Sequence, residues 1–221
     1  CVAAQEGKVG AVRALAELGA DVNTPLKGGQ TPVFFAAQLG DIDAITALVE
    51  HGADVNTPMN DGRTPVFIAA QLGQAGAITA LVEHGADVNT PDEDGWVPMV
   101  IAAIEGKVGA ITALVDAGTN VSSCLKDGRN ALCYAAIGGN EGAIKTLAEL
   151  GADINAPDDE NSSPVSFAAQ KGKVGAIRAL AELGANVNTP LKHGQTPVFI
   201  AAQLGDVDAI TALVEHGADV N

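Results

Sequence analysis

The sequence predicts an all-α fold, a solenoid of stacked helix-turn-helix pairs joined by β-hairpin-like loops. Two observations carry this. Paired alanines begin at Ala3, Ala36, Ala69, Ala102, Ala135, Ala168 and Ala201, and glycines recur at Gly19, Gly52, Gly85, Gly118, Gly151, Gly184 and Gly217, each series stepping by 33 residues. A fixed period of this length is the signature of a repeat architecture. Within each period, two short apolar segments alternate with a loop rich in Gly, Pro, Asn and Asp.

One unit, "GQTPVFFAAQLGDIDAITALVEHGADVNTP", shows the local logic. Thr31 supplies a side-chain oxygen for a helix N-cap, and Pro32 suits the first helical position. This first helix runs through Ala36 and Ala37 and stops near Gly40. A second helix, about 42–51, places Ile45, Leu48 and Val49 at helical spacing and ends at Gly52. The segment 53–63 is loop and turn. Ala-rich first helices are slimmer than the second helices, so a stack of such pairs is expected to curve with the first helices inside.

These residues resemble the ankyrin repeat, whose TPLH, AA, G and GADVN elements fall at the same offsets. Here they read "TPVFFAA…G…GADVN" and "TPVFIAA…G…GADVN", and the resemblance covers essentially the whole chain in about seven repeats. It implies non-catalytic protein–protein recognition through the hairpin tips and the exposed face of the first helices. One departure is consistent. The family's His is replaced by Phe34, Phe67, Val100, Cys133, Ser166 and Phe199. That His normally fastens neighbouring loops, so apolar packing is expected to take over.

Residues 1–221 read as one array cut within a repeat at both ends, hence a segment of a longer array or one covered at its ends, because end repeats expose a core face. Residues 1–56 match 166–221 with eight differences. Duplication of a five-repeat block is the simple explanation.

Composition narrows the function. The formal charge is −15, from 12 Lys+Arg against 27 Asp+Glu, with no basic cluster. Nucleic-acid binding needs a basic face to displace counterions, so that class is set aside, as is an anionic membrane surface. The longest apolar run, 97–104, is far short of the ~20 residues that span a bilayer. Cys1, Cys124 and Cys133 form no disulfide framework and read as reduced thiols in an intracellular, cytoplasmic protein. No cofactor, metal or small-molecule substrate is expected. His51, His84 and His216 close second helices, where a cation suits the C-terminus. Glu17, Glu50, Glu83, Asp116, Glu149, Glu182 and Glu215 form a solvated stripe. Asp21, Asp54, Asp87, Asp153 and Asp219 are turn formers.

The variable surface is left for function. The third hairpin, "DEDGWVPMV", carries the chain's single tryptophan, Trp96, beside Glu93 and Asp94. Arg63 and Arg129 hold the same position one repeat away on either side. Ile104 and Ile137 replace the usual Gln of the inner helices. Trp and Arg are enriched among binding hot spots, so Arg63, Glu93, Asp94, Trp96, Ile104, Arg129 and Ile137 are the candidate partner-binding residues. An arginine lying over the indole within the array is the competing account of Trp96. Val97 replaces the capping threonine, either weakening this helix start or gaining from burial. The alternative function is a structural spacer or scaffold subunit of a larger assembly.

Overall fold

A computed structural model describes residues 1–220. The described residues form helices and no strand. In chain order these are α1 (Val2–Gln5), α2 (Val9–Glu17), α3 (Pro32–Leu39), α4 (Ile42–Glu50), α5 (Pro65–Leu72), α6 (Ala75–Glu83) and α7 (Pro98–Ile104). They continue as α8 (Val108–Asp116), α9 (Ala131–Gly138), α10 (Glu141–Glu149), α11 (Pro164–Gln170), α12 (Val174–Glu182), α13 (Pro197–Leu204) and α14 (Val207–Glu215). They pair as consecutive helix-turn-helix units, as the period requires.

The chain divides into two compact units. One comprises Cys1–Ala102 with Gly109–Thr119, the other Ala103–Val108 with Asn120–Asn221. In the first, α3 packs against α4 and against α5 of the next repeat, and α2 packs against α4. In the second, α11 packs against α9, α12 and α13 in the same way. Each helix therefore buries its apolar side against its own partner and against the equivalent helix one repeat on.

Caps follow the sequence closely. The Thr31, Thr64 and Thr196 side chains accept from the backbone N–H of Phe34, Phe67 and Phe199, and Asn130 does the same for Cys133. The Thr-Pro pairs thus set the starts of α3, α5 and α13. The buried stripe of α4 is Ala44, Ile45, Ala47 and Leu48, while Val49 is only half-buried. Alanine on both helices lets backbones approach closely, and the branched residues fill the space that remains.

Among the described residues the loops contain one isolated bridge, between Cys124 and Asn130. Most are closed by one backbone bond across a five-residue turn, such as Met59 N–H to the Arg63 carbonyl at 2.9 Å and Asp92 N–H to that of Trp96 at 2.9 Å. Each such turn needs a left-handed residue in its fourth position. Glycine supplies it at Gly29, Gly62, Gly95, Gly128 and Gly194; in the fifth loop Asn161 does so at φ 61°, a conformation asparagine tolerates better than most residues.

Five of the six residues that stand in the place of the family His enter the core, and Phe199 is half-exposed. Phe34, Phe67, Val100, Cys133 and Ser166 are all buried, and Ser166 Oγ lies 3.0 Å from Ser163 Oγ. Asparagines of the GADVN element fasten adjacent loops. Asn23 Nδ2 donates to the Gly52 carbonyl (2.9 Å), and its Oδ1 accepts from Asp54 N–H (2.8 Å). Asn56 repeats this with Gly85 and Asp87, and Asn188 with Gly217 and Asp219. The Asp side chains close the turns beside them, as Asp21 does with Asn23 N–H and the Thr24 hydroxyl.

Repeat four breaks this ladder, because Ser122 stands where the others carry asparagine. A serine side chain is too short to bridge both groups of the next loop. Ser122→Asn should restore the bridge to Gly151 and Asp153 and raise stability by about 1 kcal/mol, read as an increased urea midpoint. An unchanged or lower midpoint would refute the ladder's role in holding adjacent loops.

Candidate interaction surface

In the first unit, the second and third hairpins carry four of the candidate residues. Arg63 is held by its own turn. Its Nε donates to Asp61 Oδ2 at 2.8 Å, its Nη2 lies 2.7 Å from the same oxygen, and Nη1 reaches Gln71 Oε1 at 3.5 Å. The bond from Arg63, more than any other influence, holds the Asp61 carboxyl below its usual range. Glu93 sits against this pair through its backbone, donating to the Asp61 carbonyl at 3.0 Å. The Glu93 and Asp94 side chains are exposed. Trp96 is half-buried, with its N–H donating to Asp92 Oδ1 at 2.8 Å. Asp92 thus organises the turn by accepting from both Asp94 and Trp96.

In the second unit, Arg129 lies with its guanidinium carbon 4.7 Å from the centre of the Phe167 ring. Its Nε is 3.6 Å from Asp127 and 3.5 Å from Asp158, whose side chain is almost fully buried. Tyr134 donates its hydroxyl to Asp127 at 3.2 Å. Burial, and next the Asp127 charge, raise the tyrosine's pKa. Ile104 and Ile137 are half-buried, and the Ile104 carbonyl accepts from Asn140 Nδ2 at 2.6 Å. Sequence reasoning named Arg129 but missed Asp127, Tyr134, Asp158 and Phe167 as its surroundings. The spacing of Asp127 two residues before Arg129, the same as Asp61 to Arg63, was the available signal.

The other chemistry-bearing residues are absorbed by the fold. His51 and His216 bond through Nδ1 to the carbonyls of Ala47 and Ala212, at second-helix C-termini. Cys1, Cys124 and Cys133 are free thiols. Burial pushes Cys133 up to about 12, which keeps it protonated and unreactive near neutrality. No helix among the described residues is long and apolar enough to cross a membrane.

The family model for ankyrin repeats (3 copies) matches residues 1–92, 89–158 and 151–221. The chain belongs to the ankyrin repeat family. Each match is longer than one 33-residue step, so three matches tile the seven helix pairs of the described residues. Among solved structures, the human ASB11 ankyrin repeat domain is similar, with a TM-score of 0.87 and 25% identity over 99% of this chain and 97% of that one. No curated protein matches. Ankyrin repeats are in general protein–protein interaction modules, and their scaffold is a non-enzymatic one.

Val97 lacks the capping oxygen that Thr31 and Thr64 provide, and the Val100 N–H instead bonds the Val97 carbonyl at 3.0 Å. Val97 is only half-buried, so packing offsets little of the lost cap. Val97→Thr should stabilise the array by about 1 kcal/mol in thermal or urea melts; no gain would mean that the valine methyls pack usefully. For Asp61, a folded pKa below the unfolded one stabilises the fold above the unfolded carboxylate pKa. That contribution is lost as pH falls through the folded value. Arg63→Met should move the Asp61 carboxyl upward in an NMR titration. A carboxyl that titrates as before would show the pair to be idle in solution.

Proposed function

We propose that this ankyrin-repeat chain is a non-catalytic module that holds a protein partner on its hairpin tips and inner helix faces. The carrying observation is the third hairpin. Its turn geometry is regular, yet its side chains depart from the repeat: Glu93 and Asp94 point into solvent and Trp96 remains half-exposed. A large aromatic that the core does not fully enclose, beside fixed charges, has the character of an interface anchor.

The contact residues are Arg63, Glu93, Asp94 and Trp96 on the first unit and, taken separately, Ile104, Arg129 and Ile137 on the second. Arg63 and Arg129 are fixed by Asp61 and by Asp127 with Asp158, so little side-chain freedom remains to be lost on binding. The −15 charge favours a partner with a basic contact face, through steering more than through raw affinity. Near-identity of residues 1–56 and 166–221 supports a second reading, a spacer whose surface is largely inert.

Capture of a partner by the intact chain, followed by titration of that partner, separates the two. Trp96→Ala should weaken binding about 30-fold, as for a hot spot worth about 2 kcal/mol, while leaving the melt close to that of the parent. Unchanged affinity would favour the spacer.

A further inference from the structure

Leucine closes α3 and α5, at Leu39 and Leu72. Glu6, Glu105, Gly138 and Lys171 hold the equivalent position in other repeats, and leucine returns at Leu204, the duplicate of Leu39. The fold therefore accepts a charged or absent side chain here and does not require an aliphatic one. Leu39 is nevertheless 49% exposed and Leu72 44%, and neither belongs to the first or last helix pair. Ile42, which opens α4, is 47% exposed, and Glu141 fills its equivalent position in α10.

These three side chains share one edge of the first unit, where the helices of a pair turn into one another. The two turns are interleaved. Gln74 Nε2 donates to the Gln38 carbonyl at 3.3 Å, and the Gln74 side chain lies over Gly40. Ile42 reaches the next turn, where a Cβ added at Gly76 would come within 2.9 Å of its Cδ1. Scattered exposed aliphatics need no explanation, but neighbouring ones on two adjacent repeats mark a contact surface. The charge around them is one-sided. Asp41 and Asp43 flank Ile42, and neither turn, 38–43 or 71–76, contains Lys or Arg. The whole first unit holds 14 Asp+Glu against 4 Lys+Arg.

We propose that this edge docks a basic amphipathic helix of a partner protein. It is a second surface, at the opposite end of α3 and α5 from the hairpin tips. Leu39 and Leu72 stand one repeat apart, about 10 Å at the spacing of packed helices. On an α-helix, residues i and i+7 share a face and are separated by about 10 Å. Aliphatic side chains at i and i+7 of the partner therefore meet the two leucines, and one at i+3 or i+4 meets Ile42. Gly40, Gly73 and Gly76 carry no side chains that would hold the helix away. Lys or Arg beside its apolar stripe faces Asp41 and Asp43, and the acidic unit steers it in.

Fluorescence anisotropy with two labelled helical peptides tests this, one of leucine and lysine, the other with glutamate in place of every lysine. The lysine peptide should bind the intact chain and the glutamate peptide should not. Leu39→Gln with Leu72→Gln leaves the charge unchanged and should weaken binding about tenfold, whereas Trp96→Ala, at the tips, should leave it as it was. Amide NMR shifts on adding the lysine peptide to the parent chain should cluster at 38–43 and 71–76, a readout independent of how any variant folds. No binding at about 1 mM peptide overturns the proposal. So does equal binding by the leucine variant, which would leave charge alone as the cause. Weaker binding by Trp96→Ala, or shifts at the hairpins, would place the peptide on the tips and refute this edge. Shifts in the same two turns when the parent alone is concentrated would make a second copy the occupant, and the basic helix would be wrong.

Discussion

No repeat in this chain can bury its apolar side alone, and every other feature depends on that constraint. The contrast between Phe34 and Phe199 is its clearest expression. The two helices differ only at Phe35 and Ile200, and Phe34, with a following repeat over it and the Phe35 ring edge-on beside it, is enclosed where Phe199 is half-exposed. Full burial of such a side chain is worth about 1.5–3 kcal/mol. Stability is accordingly a sum over repeats and the interfaces between nearest neighbours. That explains why alanine is held so strictly at 36–37, 69–70, 102–103, 135–136 and 168–169. Any larger side chain would separate the helices and strip contacts from both neighbours.

Polar groups serve the same end by a different route. Loops that cross from one repeat to the next carry backbone groups that need partners. The asparagine ladder satisfies them between repeats, while Asp21 and its counterparts satisfy them within a turn. The departures fall together in repeat four, where "GTNVS" replaces "GADVN". Ser122 cannot bridge to the next loop. Thr119, in place of alanine, buries a hydroxyl that has no partner. Local stability is thus given up where the sequence ceases to repeat.

Membership of the ankyrin family accounts for the scaffold and leaves the surface to be read residue by residue. In the Asp61–Arg63 turn the arginine and aspartate form a compact hydrogen-bonded pair. Such pairs present charge without the entropy loss of a free side chain. They also show how the same tip position can be made basic, aromatic or neutral while the turn beneath it stays constant. Asp92 accepts from Asp94 and Trp96 much as Asp61 accepts from Arg63, so the tip residue varies on an unvarying frame.

Most of the local structure was legible in the sequence because it is governed by short-range rules. Thr-Pro sets a helix start, glycine sets a stop or a left-handed turn, and 3.6-residue spacing sets the buried stripe; none of these needs knowledge of distant residues. The period then places each element without ambiguity. Tertiary structure decided what depends on which groups meet across repeats. It showed the asparagines of the GADVN element fastening one loop to the next. It placed Arg129 between Asp127 and Asp158 over Phe167, and it left Val49 half-buried where helical spacing alone predicts core. Asp158 and Phe167 lie 29 and 38 residues from Arg129 in the chain. Their meeting follows from how one repeat packs on the next, a relation that no pattern within a single repeat contains.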